Sequence, residues 1–519
     1  MQARLRPERW RRRRRRRAVR IISFLVLLAC AAALAVGFGL RPHHEQATLA
    51  VNRVPTARSY ATTAWLRAGR PWSDAEVDDL RGKLAPLAGA YAFPAQTGLL
   101  ISDGRSGRVL YSRNSRVALV PGSTIKLVTA AAALEALGPD HRFETSIVTD
   151  ATEQAPALAG SIWLVGGGDP ELTSDDLRRG VHELQLAGIE RITGDVYGDG
   201  SRYGPDRVNP DWDPDDLEYG WAAPASALSV DGGSVQFTIT PHAGEQASVD
   251  VDPPGTRMIA AVDTVDAYGD NTLRIDLLPN NNGYAVRGQI PYGAPQKYWR
   301  AVPHPTQAAA VSLLAMLRLA GVDVLGSAMT GIAPQPTATL WRHQSRPLDA
   351  IVRHMFFLSD NHYAEELLRA VGYKASGLGD LHNSLAAERA FLHAQGIPTQ
   401  GLVVADGSGL SPRNRLTALA LGQTLEYVLK QPLPLPAYSL LPRAGLEGTV
   451  AVRDDLDPGA KGRVFAKDGY IEGASAIAGY VLTAHHGPVI FVFLVNDWQN
   501  GLDAVWSDED QMLDIIAAS

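Results

Sequence analysis

The stretch VPGSTIKLVTAAAALEALG, residues 120–138, places a serine and a lysine at the start of an alanine-rich helical pattern. A Pro-Gly pair interrupts the chain just before the pattern and a glycine ends it, so we predict a helix that begins at about Ser123. Ser123 and Lys126 lie three residues apart and therefore share one helix face. Only seven of the 49 lysine and arginine residues are lysine. A lysine in so arginine-rich a chain indicates an amine that must lose its proton, which a guanidinium does not do at ordinary pH.

This pair of side chains can act as a nucleophile and its base. A neutral lysine amine beside a serine hydroxyl can accept the hydroxyl proton during attack on a carbonyl, so the serine needs no histidine. The helix N-terminus adds partial positive charge and free amide N–H groups, which stabilise the negative oxygen that forms. A single S-x-x-K pattern is a weak signal, because a capping serine followed by a solvated lysine gives the same letters.

Two later patterns make the catalytic interpretation more specific. LSDN contains Ser359, Asp360 and Asn361 in a break between two helical patterns, and KDG, residues 467–469, begins a strand pattern. Taken alone, the first could cap the following helix and the second could be an ordinary turn before an edge strand. The order S-x-x-K, S-D-N, K-x-G, each in its expected context, is much more specific than any one of its parts.

With these motifs the sequence resembles the penicillin-recognising serine enzymes, and within them the low-molecular-mass class C penicillin-binding proteins, which are D-alanyl-D-alanine carboxypeptidases and endopeptidases. The resemblance runs from about residue 80 to the end and includes the long insertion between the first two motifs. It extends to GGGDPELT (166–173), DGSGLSPRN (406–414) and LPRAGLEGTV (441–450). It implies an α+β fold, a split transpeptidase/β-lactamase-like domain with an antiparallel sheet and helices, which carries a large β-rich insertion.

The resemblance also implies a role for each motif residue. Ser123 would attack the carbonyl between two D-alanines and form an acyl-enzyme, with Lys126 as its general base. Ser359 would pass the proton to the leaving amine, and Asn361 would hold Lys126 and a substrate amide.

The third motif would form the opposite wall of the site. Lys467 would supply positive charge for the terminal carboxylate of the substrate and help to keep Lys126 neutral. Gly469 completes the K-x-G pattern. The backbone N–H groups of Ser123 and Tyr470 would form the oxyanion hole.

Asp468 departs from the family pattern, which usually has a hydroxyl residue between this lysine and glycine. A carboxylate that faced the substrate carboxylate would repel it unless it were paired, protonated or turned away. We expect Asp468 to be paired with a nearby arginine, or turned away by a small bulge in its strand.

The N-terminus has the pattern of a membrane anchor. Eleven arginines lie in the first twenty residues, before IISFLVLLACAAALAVGFGL, residues 21–40, an uncharged stretch just long enough to cross a bilayer as a helix. The positive-inside rule places the arginines in the cytoplasm. A cleaved signal peptide and lipidation at Cys30 are the alternatives. We expect a single-pass membrane protein whose catalytic body is periplasmic or extracellular.

Composition shifts and apolar patterns divide the chain into segments. A capping box of Ser73 and Glu76 marks the first helix after the spacer, and one amphipathic helix, PTQAAAVSLLAMLRLAG, is expected inside the insertion. The predicted segments are a cytoplasmic arginine-rich tail (1–20), a transmembrane signal-anchor (21–40), a spacer (41–72), a catalytic penicillin-binding domain (73–145 and 345–519) and inserted β-rich subdomains (146–344).

The net charge and the motifs of the chain indicate which classes of ligand and partner to expect. Beyond residue 20 the chain has 38 basic and 54 acidic side chains, a net charge of −16, so nucleic acid is not an expected partner. The metal-binding pattern H-E-x-x-H is missing from the sequence, and we expect GGGDP (166–170) to lack the following helix of a dinucleotide- or phosphate-binding site. We therefore expect no metal and no cofactor. The resemblance implies peptidoglycan stem peptides as substrates and β-lactam antibiotics as covalent ligands.

Two other functions remain compatible with the sequence. A β-lactamase or esterase of the same fold would deacylate Ser123 rapidly. A non-catalytic wall-binding protein is conceivable because of Asp468, although pure binding does not require the intact serine, lysine and asparagine of the first two motifs.

Overall fold

The structure is a computed structural model, and it describes residues 69–89, 96–152, 155–205, 208–335, 337–498 and 501–519. The predicted tail, anchor and most of the spacer lie outside these residues. In the described part of the chain, no helix combines the length and the apolar character that a bilayer crossing requires. The helices are α1 (Asp74–Ala88), α2 (Lys126–Leu137), α3 (Ser174–Leu186), α4 (Pro305–Leu319), α5 (Leu348–Leu358), α6 (Asn361–Ser376), α7 (Leu381–Ala394), α8 (Ala418–Leu429) and α9 (Leu502–Ala518).

The strands fall into two groups that are separated by helices. Those before α5 are β1 (Thr97–Asp103), β2 (Val109–Arg113), β3 (Glu144–Thr149), β4 (Ala157–Leu158), β5 (Ile162–Val165), β6 (Arg191–Ile192), β7 (Val196–Asp199), β8 (Ser234–Thr240), β9 (Ser248–Asp252), β10 (Met258–Val265), β11 (Arg274–Leu277), β12 (Tyr284–Pro291), β13 (Gln296–Ala301), β14 (Asp323–Val324), β15 (Ala328–Thr330) and β16 (Ala338–Gln344). Those after α8 are β17 (Val464–Ile471), β18 (Ala474–Leu482) and β19 (Pro488–Asn496).

One antiparallel sheet joins the start and the end of the described chain, with the strand order β17-β18-β19-β1-β2. β19 reads PVIFVFLVN and is buried along its whole length, as expected for a central strand that is covered on both faces. Alternate residues of β19 point to opposite faces. Ile490 and Val492 pack in one core with α2 and α8, whereas Phe491 and Phe493 pack in another core with α1 and α9.

Residues 144–344 form further sheets between α2 and α5. A five-stranded mixed sheet has the order β15-β7-β5-β3-β16 and shares a core with α3 and α4. Two three-stranded sheets, β10-β12-β11 and β13-β8-β9, share a second core, and β14-β6-β4 is a short parallel sheet. The α+β class and the β-rich character of this region agree with the sequence pattern.

The prediction of one helix inside this region is wrong, because α3 is a second one. Its start carries a readable signal, since the Thr173 side chain accepts a hydrogen bond from Asp176 N and Asp176 reaches back to Thr173 N. The α3 sequence is rich in charged residues, so its apolar stripe is narrow.

Candidate active site

Ser123 lies in a short 3-10 turn, Gly122–Ile125, and α2 begins three residues later than Ser123. The predicted helix therefore exists, but its first turn is tighter than an α-helix. Strand β17 packs directly against this turn. A Cβ atom added at Gly469 would lie 2.5 Å from the Pro121 carbonyl oxygen and 2.8 Å from Ser123 N. Only glycine allows so close an approach, and this explains the last residue of the K-D-G motif.

Lys126 is fully buried and its ammonium nitrogen points at Ser123. Nζ lies 3.0 Å from Ser123 Oγ, 2.8 Å from Asn361 Oδ1 and 2.5 Å from the Ser408 carbonyl oxygen. Three acceptors surround the three donors of an ammonium group. When the amine is neutral, one of these contacts can reverse, and Ser123 Oγ then becomes the donor.

The surroundings of Lys126 favour the neutral amine. Burial lowers the pKa of Lys126 to about 7, and the nearby Lys467 ammonium acts in the same direction. The carboxylates of Asp406, Asp360 and Glu365 oppose this shift. An amine with a pKa near 7 is well suited to accept a proton at neutral pH.

The S-D-N motif forms the junction between α5 and α6. Ser359 ends α5 in the left-handed region with φ 55°, which is uncommon for a residue other than glycine. Asp360 caps α6 by accepting a hydrogen bond from Tyr363 N at 3.2 Å. Asn361 begins α6, and its Nδ2 donates to the Trp221 carbonyl oxygen at 3.0 Å. Asn361 therefore holds Lys126 with its oxygen and the inserted region with its nitrogen.

Ser359 is half-buried, and among the described residues its hydroxyl makes no hydrogen bond. The motif thus places the Asn361 amide on Lys126, whereas the Ser359 hydroxyl is not hydrogen-bonded to Ser123 or Lys126 in the described residues. Its assigned part in proton transfer stays a prediction.

Lys467 and Asp468 interact with each other. Asp468 Oδ1 accepts hydrogen bonds from Lys467 Nζ at 2.7 Å and from Thr449 Oγ1 at 2.6 Å. Lys467 Nζ also donates to the Asp468 carbonyl oxygen at 2.5 Å. The Lys467 side chain is fully buried, whereas that of Asp468 is 33% exposed.

The expected arginine partner of Asp468 is wrong, and so is the expected bulge. β17 pairs with β18 without a register shift from residue 464 to residue 471, so the carboxylate keeps its place in the strand and takes the adjacent ammonium as its partner. Burial alone would raise the pKa of Asp468, but Lys467 and the hydrogen bond from Thr449 hold it below its ordinary value. The carboxylate is therefore ionised at neutral pH.

The backbone of Tyr470 lies beside the Ser123 turn. A Cβ atom at Gly122, whose φ is +50°, would lie 2.9 Å from Tyr470 N. The amide groups of Ser123 and Tyr470 thus belong to two backbone segments in direct contact. The Tyr470 side chain is 44% exposed and points away from the core.

Three residues of the site were not foreseen from the sequence. Ser408 and Trp221 contribute backbone carbonyls, which leave no signal in side-chain patterns. The Trp221 ring stacks on the Tyr219 ring, with 4.3 Å between the ring centroids. The Arg300 guanidinium lies over the Tyr219 ring, 5.3 Å from its centroid. Thr449 lies in LPRAGLEGTV and Ser408 in DGSGLSPRN, so both stretches were noted, but the contacts with Asp468 and Lys126 were not.

The described residues contain no group of three or more His, Cys, Asp or Glu side chains that could hold a metal ion. The site brings together a serine hydroxyl, a buried amine, an asparagine amide, a second ammonium and backbone N–H groups from the Ser123 turn and from β17. This set can activate a serine for attack on a carbonyl and can stabilise the resulting oxyanion without a cofactor.

Comparison with known proteins places this geometry in context. The model of the D-Ala-D-Ala carboxypeptidase 3 (S13) family matches residues 83–518. The chain is 36% identical over 409 residues to the D-alanyl-D-alanine carboxypeptidase of Actinomadura sp. (strain R39), covering 75% of each chain. It is 30% identical over 516 residues to the carboxypeptidase DacB of Mycolicibacterium smegmatis, covering 95% of each chain.

Solved structures agree with these sequence matches. The crystal structure of penicillin binding protein 4 (dacB) from Haemophilus influenzae superposes with a TM-score of 0.72 at 27% identity, over 85% of this chain and 99% of that one. A second structure of that protein, complexed with a novel beta-lactam, gives a TM-score of 0.67 at 26% identity, with the same coverage.

Proposed function

This chain belongs to the D-Ala-D-Ala carboxypeptidase 3 (S13) family, the low-molecular-mass class C penicillin-binding proteins, and on this premise we propose that it is a serine-type D-alanyl-D-alanine carboxypeptidase/endopeptidase. Its substrates are the stem peptides of peptidoglycan, and Ser123 carries the acyl group. The observation that carries the proposal is the 3.0 Å contact between Ser123 Oγ and a fully buried Lys126 whose pKa lies at about 7.

The reaction begins with proton transfer from Ser123 Oγ to the neutral Lys126 amine. The oxygen attacks the carbonyl between two D-alanines, and the Ser123 and Tyr470 N–H groups stabilise the negative oxygen of the tetrahedral intermediate. The proton passes by way of Ser359 to the amine of the leaving group, and the C–N bond breaks. Water then hydrolyses the ester at Ser123 and regenerates the enzyme.

Asn361 has a positioning part in this scheme. It accepts a hydrogen bond from Lys126 and donates one to the Trp221 carbonyl, so its amide orientation is set from both ends. Lys467 is close enough to depress the pKa of Lys126. The inserted region forms two cores of its own, and it also contributes to the active site, because the Trp221 carbonyl binds Asn361.

A fluorescent penicillin followed by a muropeptide tests the proposed function directly. The protein should become covalently labelled, and it should release D-alanine or a cleaved cross-link from the muropeptide. Labelling that disappears within seconds would favour a β-lactamase, because the acyl-enzyme would then be short-lived. Tight muropeptide binding without labelling or cleavage would indicate a wall-binding protein.

The localisation is also a proposal. Residues 21–40 would anchor the protein, with residues 1–20 in the cytoplasm and the catalytic segments 73–145 and 345–519, with the insertion 146–344, on the outer side. The uncharged length of 21–40 and the eleven arginines before it support this topology.

We expect the full-length protein to remain in the membrane fraction after a high-salt wash, because salt does not screen apolar burial. A form lacking residues 1–68 should be recovered in the soluble fraction and should still bind penicillin. Recovery of a natural protein that has lost residues 21–40 and is freely soluble would contradict the anchor.

Asp468 bears on the choice between carboxypeptidase and endopeptidase activity. The Asp468 carboxylate and carbonyl oxygens each accept a hydrogen bond from the Lys467 ammonium. The carboxylate is also partly exposed, so its negative charge faces the solvent. A substrate with a free terminal carboxylate meets an ammonium that Asp468 already neutralises, whereas an internal cross-link whose free carboxylates lie far from this position does not depend on that ammonium. We propose that the enzyme favours the internal cross-link.

We expect Asp468→Thr to raise kcat/KM for a D-Ala-D-Ala peptide by roughly tenfold at low salt. Unit charges about 4 Å apart interact by about 1 kcal/mol in water and about 4 kcal/mol near a protein surface, and about 1.4 kcal/mol is tenfold. The gain should shrink at high salt and should be smaller for a cross-linked dimer. Glu472→Gln, which removes an exposed acid from the next turn, controls for net charge.

The measurement is kcat/KM for both substrates at two salt concentrations. An unchanged or lower value for the free-carboxylate peptide would mean that the Lys467–Asp468 pair supports the site instead of opposing the substrate.

A further inference from the structure

A buried carboxylate lies behind Lys126 and has no part in the mechanism above. Glu365 lies one helical turn after Asn361 on α6, so the two side chains share a helix face. It is only 1% exposed. Its Oε1 accepts hydrogen bonds from Gly407 N at 3.0 Å and from Ser408 N at 2.9 Å. Burying a carboxylate is costly unless hydrogen bonds compensate it, so this arrangement calls for an explanation.

The two amides that Glu365 holds belong to the loop that contacts Lys126. The carbonyl oxygen of Ser408 accepts the shortest of the three hydrogen bonds from Lys126 Nζ, at 2.5 Å. Glu365 binds the N–H of Ser408 and Lys126 binds its carbonyl. The position of one residue therefore depends on a helix on one side and on the catalytic amine on the other.

The same loop has no room to shift. A Cβ atom at Gly407 would lie 2.9 Å from the Ala364 carbonyl oxygen, and one at Gly409 would lie 2.1 Å from the Gly122 carbonyl oxygen. Gly409 also has φ +89°. The loop is thus packed tightly between α6 and the Ser123 turn. A change in its backbone orientation would therefore move the Ser123 turn as well.

We propose that Glu365 is a positioning residue for Lys126, which fixes the Ser408 carbonyl on the amine and supplies a negative charge close to it. The inference rests on the proposed function, since it assigns Glu365 to the serine–lysine chemistry. It predicts two separable effects, one on geometry and one on charge.

The charged groups around Glu365 set the direction of the second effect. Asp406 faces it from the loop, Arg369 from its own helix, Glu388 from α7 and Lys126 from α2. Burial raises the pKa of Glu365 to about 7, and Asp406 acts in the same direction while Arg369 opposes it. Because the Glu365 carboxylate raises the pKa of Lys126, its loss should make Lys126 neutral at lower pH.

The experiment compares Glu365→Ala and Glu365→Gln with a matched control, Glu388→Gln. Glu388 is equally buried and acidic, but it contacts Thr129 at 3.4 Å and no amide of the loop. The readout is the second-order rate of acylation of the full-length protein by a fluorescent penicillin between pH 5 and pH 9, with thermal unfolding as the check on folding.

We expect Glu365→Ala to lower the rate at high pH by about 10- to 100-fold, because a misplaced catalytic group costs on the order of 100-fold. Glu365→Gln keeps an oxygen acceptor for both amides, so its rate at high pH should stay within about threefold of wild type. The acid limb of its pH profile is the range in which the acylation rate falls because Lys126 becomes protonated. This limb should move to lower pH by at least about half a unit, where one unit corresponds to about 1.4 kcal/mol. Glu388→Gln should move neither the limb nor the rate.

Wild-type acylation in Glu365→Ala at every pH would overturn the proposal, and so would an equal shift of the acid limb in Glu365→Gln and Glu388→Gln. If Glu365→Ala does not fold, the pH profile of Glu365→Gln decides alone. If penicillin does not label the wild-type protein at any pH, the proposed function itself is wrong. This outcome is distinct from those above, because they compare the variants with a wild-type protein that is labelled.

Discussion

Substitution of Ser123 by alanine should abolish covalent labelling by a fluorescent penicillin and leave the fold intact. The proposed nucleophile is lost, and in the described residues no other hydroxyl is hydrogen-bonded to Lys126. Lys126 keeps Asn361 and Ser408 as acceptors, so only one hydrogen bond disappears, worth about 1 kcal/mol. For a domain of this size we expect the melting temperature to change by about 3 °C or less.

The matched control is Thr124→Val, which removes the neighbouring hydroxyl of the same turn. Thr124 Oγ1 donates to the Pro121 carbonyl oxygen at 2.7 Å and does not reach Lys126. This variant should lose some stability but should still be labelled. Intact-protein mass spectrometry measures the adduct. A penicillin adduct on Ser123→Ala at wild-type yield would place the nucleophile elsewhere in the chain.

Several features of the fold were accessible from the sequence because they are local. The apolar run 488–495 is the central strand β19, and the His-His-Gly turn before it closes the hairpin with β18. The capping box of Ser73 and Glu76 is present at the start of α1. In each case neighbouring residues carry the signal, either as periodicity or as a capping pattern.

The layout of the inserted sheets was not accessible for the opposite reason. β5, β7 and β15 pair in parallel, and their partners come from residues 162–165, 196–199 and 328–330. Parallel pairing needs long crossover connections, so hairpin signals do not reveal which strands are neighbours. The short strands also contain few residues from which a period could be read.

The candidate site shows the same division. The side chains of Ser123, Lys126 and Asn361, which meet at the candidate site, were identifiable by type and spacing. The backbone carbonyls of Ser408 and Trp221 were not, because any residue can supply a carbonyl. Asp468 shows a third situation. Its unusual identity was visible in the sequence, but its pairing with the adjacent Lys467 and its contact with Thr449 were not.

Lys126→Arg should be almost as damaging as loss of the nucleophile, even though it keeps a positive charge. The base must be neutral, and the guanidinium of arginine stays protonated at every accessible pH. Lys126 is also fully buried among three close acceptors, so the larger group has no free space. We expect the acylation rate to fall by about 10² to 10⁴, the usual contribution of a positioned acid or base. Lys83→Arg, at an exposed helical lysine paired with Asp79, is the matched control and should change nothing.

The pH profile separates the loss of a base from a loss of packing. In the wild-type protein the pKa of Lys126 is lowered to about 7, so acylation should rise as the pH increases through this value and then level off, because the neutral amine is the active form. In Lys126→Arg this rise should vanish, and the residual rate should be flat from pH 6 to pH 8. If the variant merely packed badly, its slower acylation would keep the wild-type pH dependence. Acylation within about tenfold of wild type, or a rate that still rises through pH 7, would exclude Lys126 as the general base, since another group would then be taking the Ser123 proton.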